Sequence, residues 1–181
     1  GRYSINGQNG ADFPKINVAE DTSSITMPLP VLIKSVQRTL FAASTDEMKL
    51  AMSGVFFDFR KNGATFVATD AHRLVRYVRN DITVEQEVNF ILPQKALRLL
   101  TSAAGNSLEP VRIDYNNSIA FFRFGNTLLI CRLIDAKYPD YGGVIPSSSP
   151  NKVILTKKEL LSALKRMDIY SNKSTHLGRF K

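Results

Sequence analysis

The chain has 181 residues, 44% of them hydrophobic, with 24 Lys and Arg against 16 Asp and Glu for a formal net charge of +8. That length and apolar content exclude a disordered chain and allow a sizeable core, while the lack of any run of about 18 apolar residues argues against a transmembrane helix and Gly1 opens no signal-peptide pattern. One cysteine and two histidines leave almost no scope for a Cys/His zinc site, and the lone Cys131, inside the apolar run Leu128 to Cys131, excludes an internal disulfide and fits a reducing, cytoplasmic compartment.

In chain order, Arg2 to Ile5 reads as a strand, Asn6 to Gly10 as a turn and Asn17 to Ser24 as a polar linker. Ser24 to Met27 is a short strand, and Pro28 and Pro30 suit the first turn of the helix that follows. Leu29, Ile33, Val36, Leu40 and Ala43 recur at steps of three and four and form its apolar stripe. Lys34, Gln37 and Arg38 share another face, with no acid between Pro28 and Thr45. Ser53 to Phe59 leads through the hairpin signal Lys61-Asn62-Gly63 into Thr65 to Thr69, and Leu74 to Arg79 alternates before the turn at Asn80-Asp81. After the strand Glu87 to Leu92, a helix runs from Pro93 to about Ala104, with Ala96, Leu97, Leu100 and Ala103 inward and Lys95, Arg98 and Ser102 outward. Pro110 to Tyr115, Ser118 to Arg123 and Thr127 to Leu133 form a meander, turned by Asn116-Asn117 and Gly125-Asn126. Val153 to Leu155 is a strand, and Thr156 with Glu159 predicts a capping box on a further helix. The order β-α-β-β-β-β-α-β-β-β predicts an α+β fold with both helices on one face of a mainly antiparallel sheet.

Two stretches occur twice. Ala11-Asp12-Phe13-Pro14 returns 125 residues later as Ala136-Lys137-Tyr138-Pro139. The helical stretch Pro28 to Ser44 returns 128 residues later at Thr156 to Asn172, placing Leu32, Val36, Gln37 and Arg38 opposite Leu160, Leu164, Lys165 and Arg166. Markers from opposite ends of a unit share nearly one period, which is a typical domain size. The expectation is a tandem array: residues 1–16 end one copy, 17–150 form a whole copy and 151–181 open a third. The absence of an initiator Met agrees with a piece of a longer protein.

Residues 151–181 carry eight Lys or Arg and two acids, so +6 of the net charge lies there and +2 in residues 1–150. The placement of the cations therefore says more than their total. Lys34/Arg38, Lys95/Arg98 and Lys158/Lys165/Arg166 give three helices cationic faces, and repetition at one helical phase favours a continuous phosphate-binding surface over three ordinary solvated faces. No zinc finger, basic zipper or aromatic stacking strand offers base readout. Thr69-Asp70-Ala71-His72-Arg73 is the other notable stretch. Asp70 and His72 can be read as an acid/base pair or metal ligands sharing a strand face, but no nucleophile motif or phosphate-binding glycine loop accompanies them. A polar strand end whose Asp and His satisfy backbone groups is the competing reading.

Ala68-Thr69-Asp70-Ala71-His72-Arg73-Leu74, with Leu133 to Tyr141 and Val144-Ile145-Pro146, resembles the bacterial sliding clamp family, the DNA polymerase III beta subunit. The resemblance covers the whole chain. It implies a non-catalytic processivity subunit of a DNA-directed DNA polymerase complex with no cofactor or metal. Two three-domain protomers would close head to tail as a homodimer ring around duplex DNA, tethering the replicative polymerase during DNA replication. The clamp loader and other clamp-binding proteins are the further partners it implies. The DNA-binding residues would be Lys34, Gln37, Arg38, Lys95, Arg98, Lys165 and Arg166. A pocket for partner peptides would comprise Met52, Thr69, Ala71, His72, Arg73, Leu74, Pro139, Gly143 and Val144.

The chain departs from the family in two respects, at three positions. Glycine is common where Ala71 stands, and arginine is common at one or both of the positions held by Gly142 and Gly143, so the cations that would contact partner peptides there are missing. Two readings from other classes stay open: a metal-dependent phosphoesterase or nuclease built on Asp70 and His72, and a generic non-specific nucleic-acid-binding module.

Overall fold

The computed structural model describes residues 1–12, 22–46, 48–172 and 177–179. The chain divides into two compact units, Gly1–Tyr141 and Gly142–Lys181. In the first unit the elements are β1 (Ser23–Pro28), α1 (Leu29–Thr39), β2 (Gly54–Arg60), β3 (Gly63–Thr69), β4 (Leu74–Arg79), β5 (Val88–Pro93), α2 (Gln94–Ala104), β6 (Pro110–Tyr115), β7 (Ile119–Phe124) and β8 (Thr127–Arg132). The order β-α-β-β-β-β-α-β-β-β is as expected. Short 3-10 turns at Leu40–Ala42 and Leu50–Ser53 fill the α1–β2 connection.

The single antiparallel sheet of the sequence reading resolves into two four-stranded sheets, β1-β6-β7-β8 and β4-β3-β2-β5. All pairings are antiparallel. Each half of the unit has the order β-α-β-β-β, and the halves exchange their first strands. β1 pairs with β6 of the other half, and β5 pairs with β2. Past the end of β8, the Ile134 N–H donates to Ile91 O at 3.0 Å, tying the two sheets at their adjoining edges.

The first unit holds its helices on one side by period. Alternate residues of a strand face opposite ways, and Ile25, Met27, Val55, Phe57, Phe59, Phe66, Leu92, Val111, Ile113 and Phe122 share one core with Leu29, Leu32 and Val36 of α1 and Leu97, Leu100 and Ala104 of α2. Both helices start on an extended proline, Pro28 and Pro93, with no side-chain cap. Each proline lacks an N–H, and its fixed φ directs the strand into the helix. Gly105, at φ +51°, ends α2 in a conformation that favours glycine. Within the core, Phe57 meets the edge of Phe66 at 4.9 Å between centroids and stacks on Phe90 at 5.7 Å.

The buried stripes differ in detail from the periodic reading. In α1, Leu29, Leu32, Ser35, Val36 and Thr39 are buried, whereas Ile33 and Leu40 are half-buried. Ser35 and Thr39 tolerate burial because their hydroxyls donate to Val31 O and Ser35 O, both at 2.8 Å. In α2, Ala104 turns inward and Ala103 outward. Arg2 to Ile5 and Val153 to Leu155 are not strands. Neither gains a ladder partner among the described residues, and backbone groups left to water have no reason to extend. Phe13-Pro14, the 16/17 boundary and most of the expected linker lie outside the described residues.

Of the second unit, the described elements are a 3-10 turn at Gly142–Val144 and α3 (Lys157–Tyr170). Thr156 and Glu159 make no side-chain capping bond. The first turn of α3 is exposed, so its free N–H groups can be satisfied by water instead. Among the described residues no helix is long and apolar enough to cross a membrane.

Cys131 packs against the main core, and burial pushes its thiol up to about 11. At pH 8 its thiolate population should therefore be about 100-fold below that of a thiol at 9.0. Labelling by an aromatic disulfide should be slower by a similar factor in the folded chain and recover in denaturant. Equal rates in both states would place the thiol in solvent.

Candidate functional site

Two arrangements on opposite sides of the same strands gather the residues singled out by sequence. On the helical side, α1 and α2 lie in contact. Lys34, Gln37 and Arg38 are exposed on α1, and Lys95 and Arg98 on α2. Neither helix contains an acid. Arg98 donates to Gln94 Oε1 at 3.3 Å, one helical turn back, so its guanidinium is steadied without being neutralised. Within the first unit, five polar side chains thus form an outward cationic face whose charge no helix acid offsets. Lys165 and Arg166 are exposed on α3 in the second unit, where Arg166 donates to Ser162 Oγ at 2.8 Å.

The other arrangement lies on the outer face of β2, β3 and β5. Phe56, Val67 and Ile91 alternate with core residues and so point away from the helices. The segment after β8 folds back over them. Tyr138 stacks on Phe56 at 4.8 Å with 13° between rings and donates from its hydroxyl to Val67 O at 3.4 Å. Tyr141 meets Tyr138 edge-on at 6.4 Å. Leu74, Ala51, Ile134 and Ala136 complete this second apolar cluster. Met52 and Pro139, next in sequence to Ala51 and Tyr138, are half-buried. The structure thus brings Leu74 to one cluster with the sequence neighbours of Met52 and Pro139, from segments far apart in the chain.

Residues 70–73 form the turn between β3 and β4, so Asp70 and His72 do not share a strand face. Asp70 accepts the backbone N–H of His72 and of Arg73, both at 2.9 Å on Oδ1, and Arg73 Nε at 3.0 Å on Oδ2. These bonds, the Arg73 N–H foremost, hold its carboxyl below the usual carboxylate range against the opposing effect of desolvation. Thr69 is buried, donates to Arg73 O at 2.8 Å and accepts the Ala71 N–H at 3.1 Å. Lys49 Nζ reaches Asp70 O at 3.4 Å. The Asp70 carboxylate and the Thr69 hydroxyl thus shape the turn, and Ala71, His72 and Arg73 are exposed beside half-buried Leu74. Ala71 has φ +79°, a conformation that L side chains resist. This is the position where the resemblance placed glycine. Among the described residues no three His, Cys, Asp or Glu side chains cluster as metal ligands would.

Gly143 and Val144 are exposed in the second unit. Tyr138, Tyr141, Phe56, Val67 and Ile91 were not anticipated as members of the cluster. Tyr138 did stand in the repeated Ala-x-aromatic-Pro stretch, a signal of recurrence that carried no hint of which surface the ring covers.

Residues 26–140 match the family model of the DNA polymerase III beta subunit, central domain. The beta sliding clamp of Synechococcus elongatus is 30% identical over 183 residues, covering 99% of this chain and 49% of the relative. That of Bacillus subtilis is 30% identical over 168 residues, covering 92% and 44%. The chain spans about half the length of the curated relatives it matches. Among solved structures, a Thermotoga maritima DNA polymerase III beta subunit superposes with a TM-score of 0.82 at 30% identity, covering 89% of this chain and 44% of that one. The Bacillus subtilis DNA polymerase sliding clamp gives 0.86 at 29%, covering 93% and 44%. The chain belongs to the DNA polymerase III beta subunit family, the sliding clamps, which it matches through the central domain.

Proposed function

We propose that this protein works in the cytoplasm as part of a sliding clamp, a homodimeric ring that encircles duplex DNA and keeps a replicative polymerase on its template without catalytic groups of its own. In this reading residues 1–16 end a first domain, 17–150 are the middle domain and 151–181 open a third. The observation that carries it is the acid-free cationic face of α1 and α2. Exposed amines and guanidiniums that meet phosphates without reading bases favour no sequence, which is what sliding requires. Asp70 spends its carboxylate on the turn, which favours a tethering role over the phosphoesterase alternative.

Replacing Lys34, Arg38, Lys95 and Arg98 with alanine in the full-length protein should weaken DNA retention alike across sequences. The slope of log affinity against log salt should fall by about 0.9 for each phosphate that is no longer neutralised. An unchanged slope would mark these residues as ordinary solvated surface. Release from linear but not closed circular DNA separates a clamp from a generic binding module.

The outer cluster supports a second part of the reading, a pocket in which Met52, Leu74 and Pro139 grip an apolar anchor of a clamp-loader or polymerase peptide, with Thr69, Ala71, His72 and Arg73 at its edge. Burying one leucine there gains roughly 1.5–3 kcal/mol. Leu74→Asp in the full-length protein should abolish peptide binding and leave ring assembly intact. A peptide that binds the variant as tightly as the parent removes the pocket from these residues.

A further inference from the structure

The outer face of the β1-β6-β7-β8 sheet carries an arrangement that neither the cationic helices nor the outer cluster uses. Arg112 on β6 stands directly opposite Arg123 on β7, a like-charge cross-strand pair that is unfavourable by itself. Asp114, two residues along β6 on the same face, is buried and takes one guanidinium on each oxygen: Arg112 Nε at 2.7 Å on Oδ1 and Arg123 Nε at 3.0 Å on Oδ2. Arg123 is also held 6.0 Å over the Phe121 ring. Both arginines bind Asp114 through Nε while their side chains stay 61% and 42% exposed, so each guanidinium fork remains open to solvent. Thr26 lies opposite Arg112 on β1, and Thr26, Arg112 and Arg123 line one open groove, with Glu109 and Gly125 at its end. The same cross-strand row continues from Arg123 to Leu128, which is 47% exposed on the edge strand β8.

We infer that this row is a docking site for an acidic and apolar peptide segment of a partner protein, a carboxylate meeting the paired Arg112 and Arg123 forks and an apolar side chain covering Leu128. Neighbouring strands lie about 4.8 Å apart, so an extended peptide crossing them places the apolar residue two positions after the acid. The exposed Leu128 favours a peptide over a phosphodiester chain, which has nothing apolar to place there. The inference stands apart from the DNA-binding reading, because it uses the opposite face of the sheet.

The probe is a capped octapeptide with one glutamate, a leucine two residues later and serine elsewhere, titrated into the 181-residue chain by NMR. It should shift the Arg112 and Arg123 side-chain Nε–Hε signals. Exchanging its glutamate for glutamine, a change that leaves the protein untouched, should weaken binding at least tenfold. Arg112→Lys with Arg123→Lys keeps the charge and removes the planar forks, and should also weaken binding at least tenfold. Equal binding by the glutamine peptide or by the lysine variant would overturn the inference. So would displacement of the peptide by duplex DNA, which would assign the forks to phosphate.

Discussion

A Gly54→Val chain is expected to lose about 3 kcal/mol of stability or more, seen as a lower urea midpoint with little change in slope. Gly54 opens β2 directly opposite Pro93, where β5 closes. A Cβ there would strike the Leu92 carbonyl oxygen and come within 2.9 Å of Ile134 Cδ1 and Ile91 Cγ2. The obstacle is backbone in a hydrogen-bonded ladder, so it cannot rotate aside as a side chain can. Relief requires the β2–β5 register to shift, and a one-residue slip would turn Phe57 and Phe59 out of the core. Because β2–β5 is one of the two pairings that join the halves, the loss should appear in the whole first unit. Gly54→Ala should act in the same direction and less. A valine variant with the parent's midpoint would show that the strands do not approach so closely.

Tyr138→Ala should cost about 3–5 kcal/mol, the usual range for emptying a buried aromatic site. The ring is buried, stacked on Phe56 and packed against Tyr141 over Val67 and Ile91. Tyr138→Phe keeps the stack and loses the 3.4 Å hydrogen bond to Val67 O, so it should cost under about 1.5 kcal/mol. The alanine change also has a local consequence. The fold-back from Ile134 to Tyr141 loses its main anchor, and with it the cover over Phe56 and Val67. Thermal unfolding should fall by roughly 10 °C, and trypsin should cut after exposed Lys137 under conditions where the parent resists. A variant that melts with the parent and resists cleavage would show that the ring does not hold the segment.

What the sequence by itself determined was local. Between Ser23 and Arg132, strand and helix positions followed from side-chain period, because whether a residue faces a core depends on its immediate neighbours along the backbone; Arg2 to Ile5 and Val153 to Leu155 read as strands and are not. Lys61-Asn62-Gly63 marked a real hairpin since Gly63 must adopt φ +155° with Arg79 O 2.8 Å from where a Cβ would be. Cations without acids on α1 and α2 were equally legible, because exposure on a helix follows from the same period. The tertiary structure alone decided the rest. Ser23 opposite Tyr115 and Gly54 opposite Pro93 are partners that no local pattern names, and they turn one expected sheet into two. Burial of Ser35 and Thr39 depended on carbonyls that could take their hydroxyl protons. Asp70 looked available for chemistry until its neighbours' N–H groups claimed both oxygens. Tyr138 could be read as a recurring aromatic, but its partner, Phe56, is set by how the chain returns across the sheet. Local conformation is decided by steric and hydrogen-bonding choices a few residues wide, whereas strand partners and side-chain contacts 82 to 92 residues apart are decided by the packing of the whole unit at once.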